Sequence, residues 1–241
     1  MSLEARVIPM VLVAGLLGRL ALTDDLLLYL RPGMRPWVLS AAAALAAVTL
    51  ACLVAHRRGG HRNDSHDHSH AAGRLSWLLV LPLAAIVVVP PAPLGSFAAA
   101  RQESRRPAPP PEEEAGGYPP LPPPVDGAHE MTLANFVFYA RDDTERQLEG
   151  ATVRTTGFVT PAAPGEDGFR LTRFVLACCA ADASPISISV AGAMPPYPPV
   201  DTWLVIEGQW QPSPSGHEPD APVVYVTSVR EIPPPRDPYE T

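Results

Sequence analysis

The sequence predicts N-terminal transmembrane α-helices, three spans in number, followed by a C-terminal mostly-β domain built as an OB-like five-stranded barrel with one short helix. Three observations lead there. Long apolar stretches crowd the first hundred residues, a proline-dense stretch follows them, and the remainder alternates short β-type runs with turn residues. Charge divides the chain in the same way. Residues 1–125 hold 11 Arg against 9 acidic residues, whereas residues 126–241 hold 7 Arg against 16. An acidic second half is a poor grip for a phosphate backbone, so no nucleic-acid partner is expected despite the OB-like reading. The absence of Lys beside 18 Arg and long alanine runs suits GC-rich bacterial coding and receives no functional weight. The expected organisation is a transmembrane region over 1–100, a Pro-rich linker over 101–127 and a soluble domain over 128–241.

The three apolar stretches differ in quality. WVLSAAAALAAVTLACLVA (37–55) and LSWLLVLPLAAIVVVPPAPL (75–94) carry no charge and reach the roughly 20 residues needed to cross the hydrocarbon core. VIPMVLVAGLLGRLALTDDLLLYL (7–30) is interrupted by Arg19, Asp24 and Asp25. Its preferred reading is a span to about Leu22, with the acidic pair at the headgroups, because two carboxylates deep in lipid are costly. Two further spans behind it argue against a cleaved signal peptide. Arg counts on the two sides of the membrane balance, but the tight HRRGGHR cluster sits in a short loop where the positive-inside rule works best. That places the loop in the cytoplasm and the C-terminal domain outside the cell membrane. Cys52, within the second apolar run, reads as a small buried hydrophobe.

The loop between the second and third stretches, HRRGGHRNDSHDHSHAAGR (56–74), gathers His56, His61, His66, His68 and His70 around Asp64 and Asp67. Neutral imidazoles and carboxylates are ligands for zinc and similar ions. His61, His66, His68 and His70 are therefore metal candidates; a polar hinge of incidental composition is the alternative. The stretch RQESRRPAPPPEEEAGGYPPLPPPVDG (101–127) contains nine prolines. It reads as a semi-rigid spacer, able to hold the following domain about 80 Å from the bilayer at roughly 3.1 Å per residue.

Within the soluble domain, Thr132 is a plausible N-cap for a helix LANFVFYARDD, with Phe136 and Tyr139 or Ala140 facing inward. Five β-type runs follow, at 151–159, 168–179, 185–191, 202–211 and 222–232. Alternation is plain in ISISV, where Ile186, Ile188 and Val190 share a face. Gly157, in mid-strand, suits a bend in a small barrel. A small sandwich is the alternative architecture. Trp203 and Trp210 read as core and rim residues.

Chemistry concentrates in RFVLACCAADASP (173–185). With cysteines only at 52, 178 and 179, there is no disulfide framework, and adjacent cysteines lack the C-x-x-C redox spacing. If the strand runs through both cysteines, one thiol points to the core and one outward. If the chain breaks near Cys179, both sulfurs can converge with Asp182 into an open site for zinc or another thiophilic ion. His129 and His217 are the other potential ligands in the domain. Inert burial of both thiols is the competing reading. No Ser/His/Asp grouping, phosphate-cradling glycine loop or close carboxylate pair recommends an enzyme, and Asp142–Asp143 reads as the solvated end of the helix.

LLLYLRPGMRPWVLSAAAAL, LPLAAIVVVPPAPLGSFAAAR and GATVRTTGFV…RFVLACCAADASPISISV resemble the YcgQ-like bacterial membrane proteins over most of the chain, the linker and His loop excepted. The resemblance implies a multi-spanning permease partner, similar to the organoarsenical permeases, and an association with zinc limitation. It also marks Cys178, Cys179 and Asp182 as a shared signature. The expected function is a non-enzymatic, permease-associated membrane protein that binds a metal or metalloid ion; a structural assembly module with buried cysteines is the alternative.

Overall fold

The computed structural model describes residues 3–58, 92–102, 119–142, 146–165, 167–193, 196–212 and 221–241. The chain separates into two compact units, Met1–Ala92 and Pro93–Thr241.

In the first unit, α1 (Leu3–Leu22) and α2 (Arg35–Arg58) are joined through 3-10 turns at Asp24–Leu28 and Pro32–Met34. The break after Leu22 falls where the acidic pair begins. The charges that interrupt the apolar run are paired there: Arg19 Nη2 lies 3.8 Å from Asp25 Oδ2, and Arg35 Nη2 lies 3.7 Å from Asp24 Oδ1. Three spans are not supported. The helical run Pro32–Arg58 is long and apolar enough to cross a membrane, while Val7–Leu22 is a shorter apolar helix. At 1.5 Å per residue, the latter covers about 24 Å of a hydrocarbon core near 30 Å thick. The third stretch lies outside the described residues up to Pro91. Cys52 is exposed on α2, not buried, because a helix with neighbours on one side leaves much of its circumference bare.

In the second unit, α3 (Ser96–Gln102) precedes β1 (His129–Glu130), α4 (Leu133–Asp142), β2 (Thr152–Pro161), β3 (Phe169–Val175), β4 (Ser184–Ala191), β5 (Trp203–Gln211), β6 (Val223–Glu231) and β7 (Tyr239–Glu240). The strands form one sheet in the order β1-β2-β5-β6-β4-β3-β7, with an additional β2–β3 pairing. Among the described residues the sheet has seven strands where the sequence pattern predicts five. The two extra strands, β1 and β7, have two residues each, too short to show alternation. Both pair in parallel, β1 with β2 and β7 with β3, and β4 pairs in parallel with β6; the other ladders are antiparallel.

Thr132 Oγ1 accepts the Asn135 N–H at 3.1 Å, so the N-cap forms as read. Leu133, Phe136, Val137 and Ala140 follow at helical spacing and pack into the main core with Leu148, Val153, Leu171, Ile188, Leu204 and Ile206. A second cluster joins Phe158, Phe174, Leu176, Ala183, Trp203 and Tyr239. Trp203 and Trp210 are both buried.

Phe158 pairs with Trp203 of β5 and with Thr172 of β3, so β2 changes partner there. The preceding Gly157 allows the close approach: a Cβ on it would fall 2.8 Å from both Leu171 Cγ and the Thr172 carbonyl oxygen. Gly157→Ala is expected to cost about 1–3 kcal/mol through this overlap, read as a lower midpoint in denaturant unfolding with an unchanged slope.

Candidate metal centre

The strand expected over 168–179 stops at Val175. Leu176 is buried and donates its N–H to the Glu240 carbonyl at 2.9 Å, and Ala183 re-enters the core. Between these anchors, residues 177–182 form an outward loop joining β3 to β4, so neither cysteine sits on a strand. The loop winds around Asp182. Its Oδ1 accepts the Ala177 N–H at 2.9 Å, and its Oδ2 accepts the N–H groups of Cys178 at 2.9 Å and Cys179 at 3.1 Å. Asp182 N–H in turn donates to the Cys179 carbonyl at 3.0 Å. Consecutive amides converging on one carboxylate make an anion-holding nest, here filled from within the loop.

This curl brings the thiols together. Cys178 is exposed, Cys179 is half-buried, and both are free. One ligand atom from each of Cys178, Cys179 and Asp182 lies within 4.8 Å of the others. A tetrahedral ion with zinc–sulfur bonds near 2.3 Å needs donors roughly 3.5–3.8 Å apart. The three groups therefore fit an ion after shifts of about an ångström, and among the described residues no fourth ligand joins them. Two sulfurs and one carboxylate are a donor set for a borderline-soft or soft ion.

Without an ion, a proton occupies the site. Cys178 Sγ donates to Asp182 Oδ2 at 2.7 Å. That hydrogen bond, with the Cys179 thiol and the negative carboxylate beside it, pushes the Cys178 pKa up to about 12. The same bond holds the Asp182 carboxyl below its usual range, aided by the three backbone N–H groups. A reactive thiol needs the reverse, a pKa lowered by positive neighbours. Alkylation of Cys178 at pH 8 should therefore be slow, and Asp182→Asn should speed it at least ~10-fold, measured by mass spectrometry of the peptide after timed iodoacetamide quenching.

Among the other sequence candidates, His61, His66, His68 and His70, with Asp64, Asp67 and His217, lie outside the described residues. His56 is exposed at the end of α2. His129 holds the Pro122 carbonyl through Nδ1 at 2.6 Å and is not part of the cysteine group. Asp142 closes α4. A cavity of about 990 Å³ opens elsewhere in the domain, with Glu130, Arg154, Arg173, Glu207 and Glu240 in its wall. Those charges answer one another, as Arg154 binds Glu130 and Glu207 while Arg173 faces Glu240. The amides of Ala177, Cys178 and Cys179 are site groups that the residue pattern does not announce, because their carboxylate partner lies three to five residues C-terminal to them.

No curated protein matches the chain. Residues 132–240, from the N-cap of α4 to the end of β7 and including Cys178, Cys179 and Asp182, match the model of the DUF1980 C-terminal domain, a family without an assigned biochemical role.

Proposed function

We propose that this chain is a non-enzymatic, multi-pass membrane protein that serves as accessory subunit to a permease, with an extracytoplasmic domain that captures a thiophilic ion at Cys178, Cys179 and Asp182. The observation that carries the reading is the convergence of both sulfurs on one carboxylate in an exposed loop, with a coordination position left for an incoming ligand. A structural zinc site is normally closed by four protein ligands; an open one suits an ion that is taken up and passed on. Zinc is the first candidate. The His-rich loop, His61, His66, His68 and His70, would act as a buffer for the same ion on the other side of the bilayer. The permease partner rests on the resemblance to YcgQ-like proteins. The cycle of pairings β2–β5–β6–β4–β3–β2 supports an OB-like barrel as the scaffold.

Elemental analysis of the purified full chain, loaded with zinc and dialysed, tests the reading. About one ion that disappears with Cys178→Ala/Cys179→Ala supports it, beyond any ions held by the His loop. Equal zinc content in wild type and double variant rejects it.

A further inference from the structure

The residues before the proline-rich stretch are fastened to the domain that follows it. Leu94 N–H donates to the Tyr239 hydroxyl at 3.1 Å. Ser96 gives Asp201 two bonds, N–H to Oδ1 at 2.7 Å and Oγ to Oδ2 at 2.9 Å. Gly95 leaves room for these bonds, since a Cβ there would fall 2.7 Å from Asp201 Oδ1 and push the carboxylate away from Ser96. Ala99 is buried against Phe158, Phe174, Trp203 and Tyr239, with Leu94 and Ala98 packed beside it. The C-terminal part of the proline-rich stretch is itself fastened to the same unit: Tyr139 Oη donates to the Pro119 carbonyl at 2.9 Å, and Leu121 N–H donates to Gln147 Oε1 at 3.1 Å. A spacer has its two ends on different bodies. Here both ends belong to one.

We infer that Pro93–Gln102 is a strap that fastens the C-terminal domain at the exit of the 75–94 apolar stretch and lays it on the phospholipid headgroup surface. The proline-rich stretch then does not set the distance from the bilayer. The covalent geometry is short: Leu94 is the last residue of the apolar stretch and is itself bound to Tyr239, and Ser96 follows at no more than about 7 Å. The strap's outer side suits that position. Phe97 is 70% exposed, with the Arg101 guanidinium 4.3 Å from its ring centroid, and segments that lie in the headgroup region combine exposed Phe, Trp or Leu with Lys/Arg. This inference rests on reading 75–94 as a span, and not on ion binding.

The test uses the full chain in phosphatidylcholine vesicles that carry a nitroxide on a fraction of the headgroups. With Cys52, Cys178 and Cys179 changed to Ser, a fluorophore is placed at Val200→Cys, beside Asp201. Inserting roughly 20 Gly/Ser residues after residue 110 adds about 25 Å of reach. Strong headgroup quenching that is unchanged by the insertion is the expected result. Quenching lost on insertion alone, or absent from the start, overturns the strap, as does failure of the chain to float with the vesicles. Gly95→Val or Ala99→Arg, combined with the insertion, should release the domain and abolish quenching. Persistence of quenching in both also overturns the inference.

Discussion

Cys178→Ala/Cys179→Ala is expected to abolish binding of zinc or a softer ion by the domain, leaving no saturable uptake at micromolar concentrations. Two of three donors vanish, and a lone carboxylate tied to three backbone amides holds such ions poorly. Each single Cys→Ser variant should lose affinity by at least ~100-fold, because a neutral hydroxyl replaces a thiolate in a site with three ligands among the described residues. Asp182→Asn should lose at least ~10-fold, because a neutral amide oxygen replaces the carboxylate among the three donors. Its oxygen can still hold part of the amide nest, but its charge is gone. Binding must also expel the Cys178 proton. With that thiol pushed up to about 12 by its bond to Asp182, uptake should release protons and strengthen as pH rises from 6 to 8. Isothermal titration in two buffers of different ionisation enthalpy measures that release. A binding enthalpy independent of buffer, or double-variant affinity equal to wild type, would reject the site.

What was legible in advance follows the length scale of each signal. Alternation in ISISV and helical spacing in Leu133, Phe136, Val137 and Ala140 extend over several residues, and both elements form. The pair Cys178–Cys179 stood out by composition, and Asp182 by its distance from them. Whether they meet depended on where β3 ends. The apolar run FVLACCA carries no stop signal; the strand ends because Leu176 is pinned to Glu240 and Asp182 draws the next three amides into a turn. Those contacts span 64 residues in one case and three to five in the other. Proline content likewise predicts a spacer from Arg101 onward, but Leu94 and Ser96 are held by Tyr239 and Asp201, partners more than a hundred residues away. Composition cannot register such pairings. The end of the first helix at Leu22 was legible from the acidic pair that follows it, but the pairing of Arg19 with Asp25 was not, since it forms only once the chain has turned.

Glu240→Ala should give a large loss of stability, about 3–5 kcal/mol, or roughly 10–20 °C in Tm for a domain of this size. Glu240 is buried in β7, and its two oxygens accept the Leu133 and Ala134 N–H groups at 2.7 and 2.8 Å, capping α4. Arg173, buried on β3 and 5.2 Å from the Trp203 ring centroid, lies 4.0 Å from Glu240 and binds the carbonyls of Asp237 and Tyr239. Removing the carboxylate uncaps the helix and takes from a buried guanidinium the larger of its two counter-charges, Glu240 and Asp237. The pair itself is not a net electrostatic gain. Burial pushes the Glu240 pKa up despite its amides and Arg173, and burial pushes Arg173 down despite Glu240 and Asp237. Desolvation therefore exceeds attraction on both sides, and the pair's role is geometric. Arg173→Met/Glu240→Gln should then cost less than the two single changes summed, by about 1 kcal/mol or more. The pH dependence has a definite sign. A carboxyl raised above its unfolded value contributes fully below that value, near 4.3, and its contribution fades as pH rises through the folded pKa. The Tm of Glu240→Gln should accordingly gain on wild type between pH 4 and 7. A constant difference across that range would place the carboxyl in water, and a Glu240→Ala Tm within about 2 °C of wild type would mean that β7 does not hold α4.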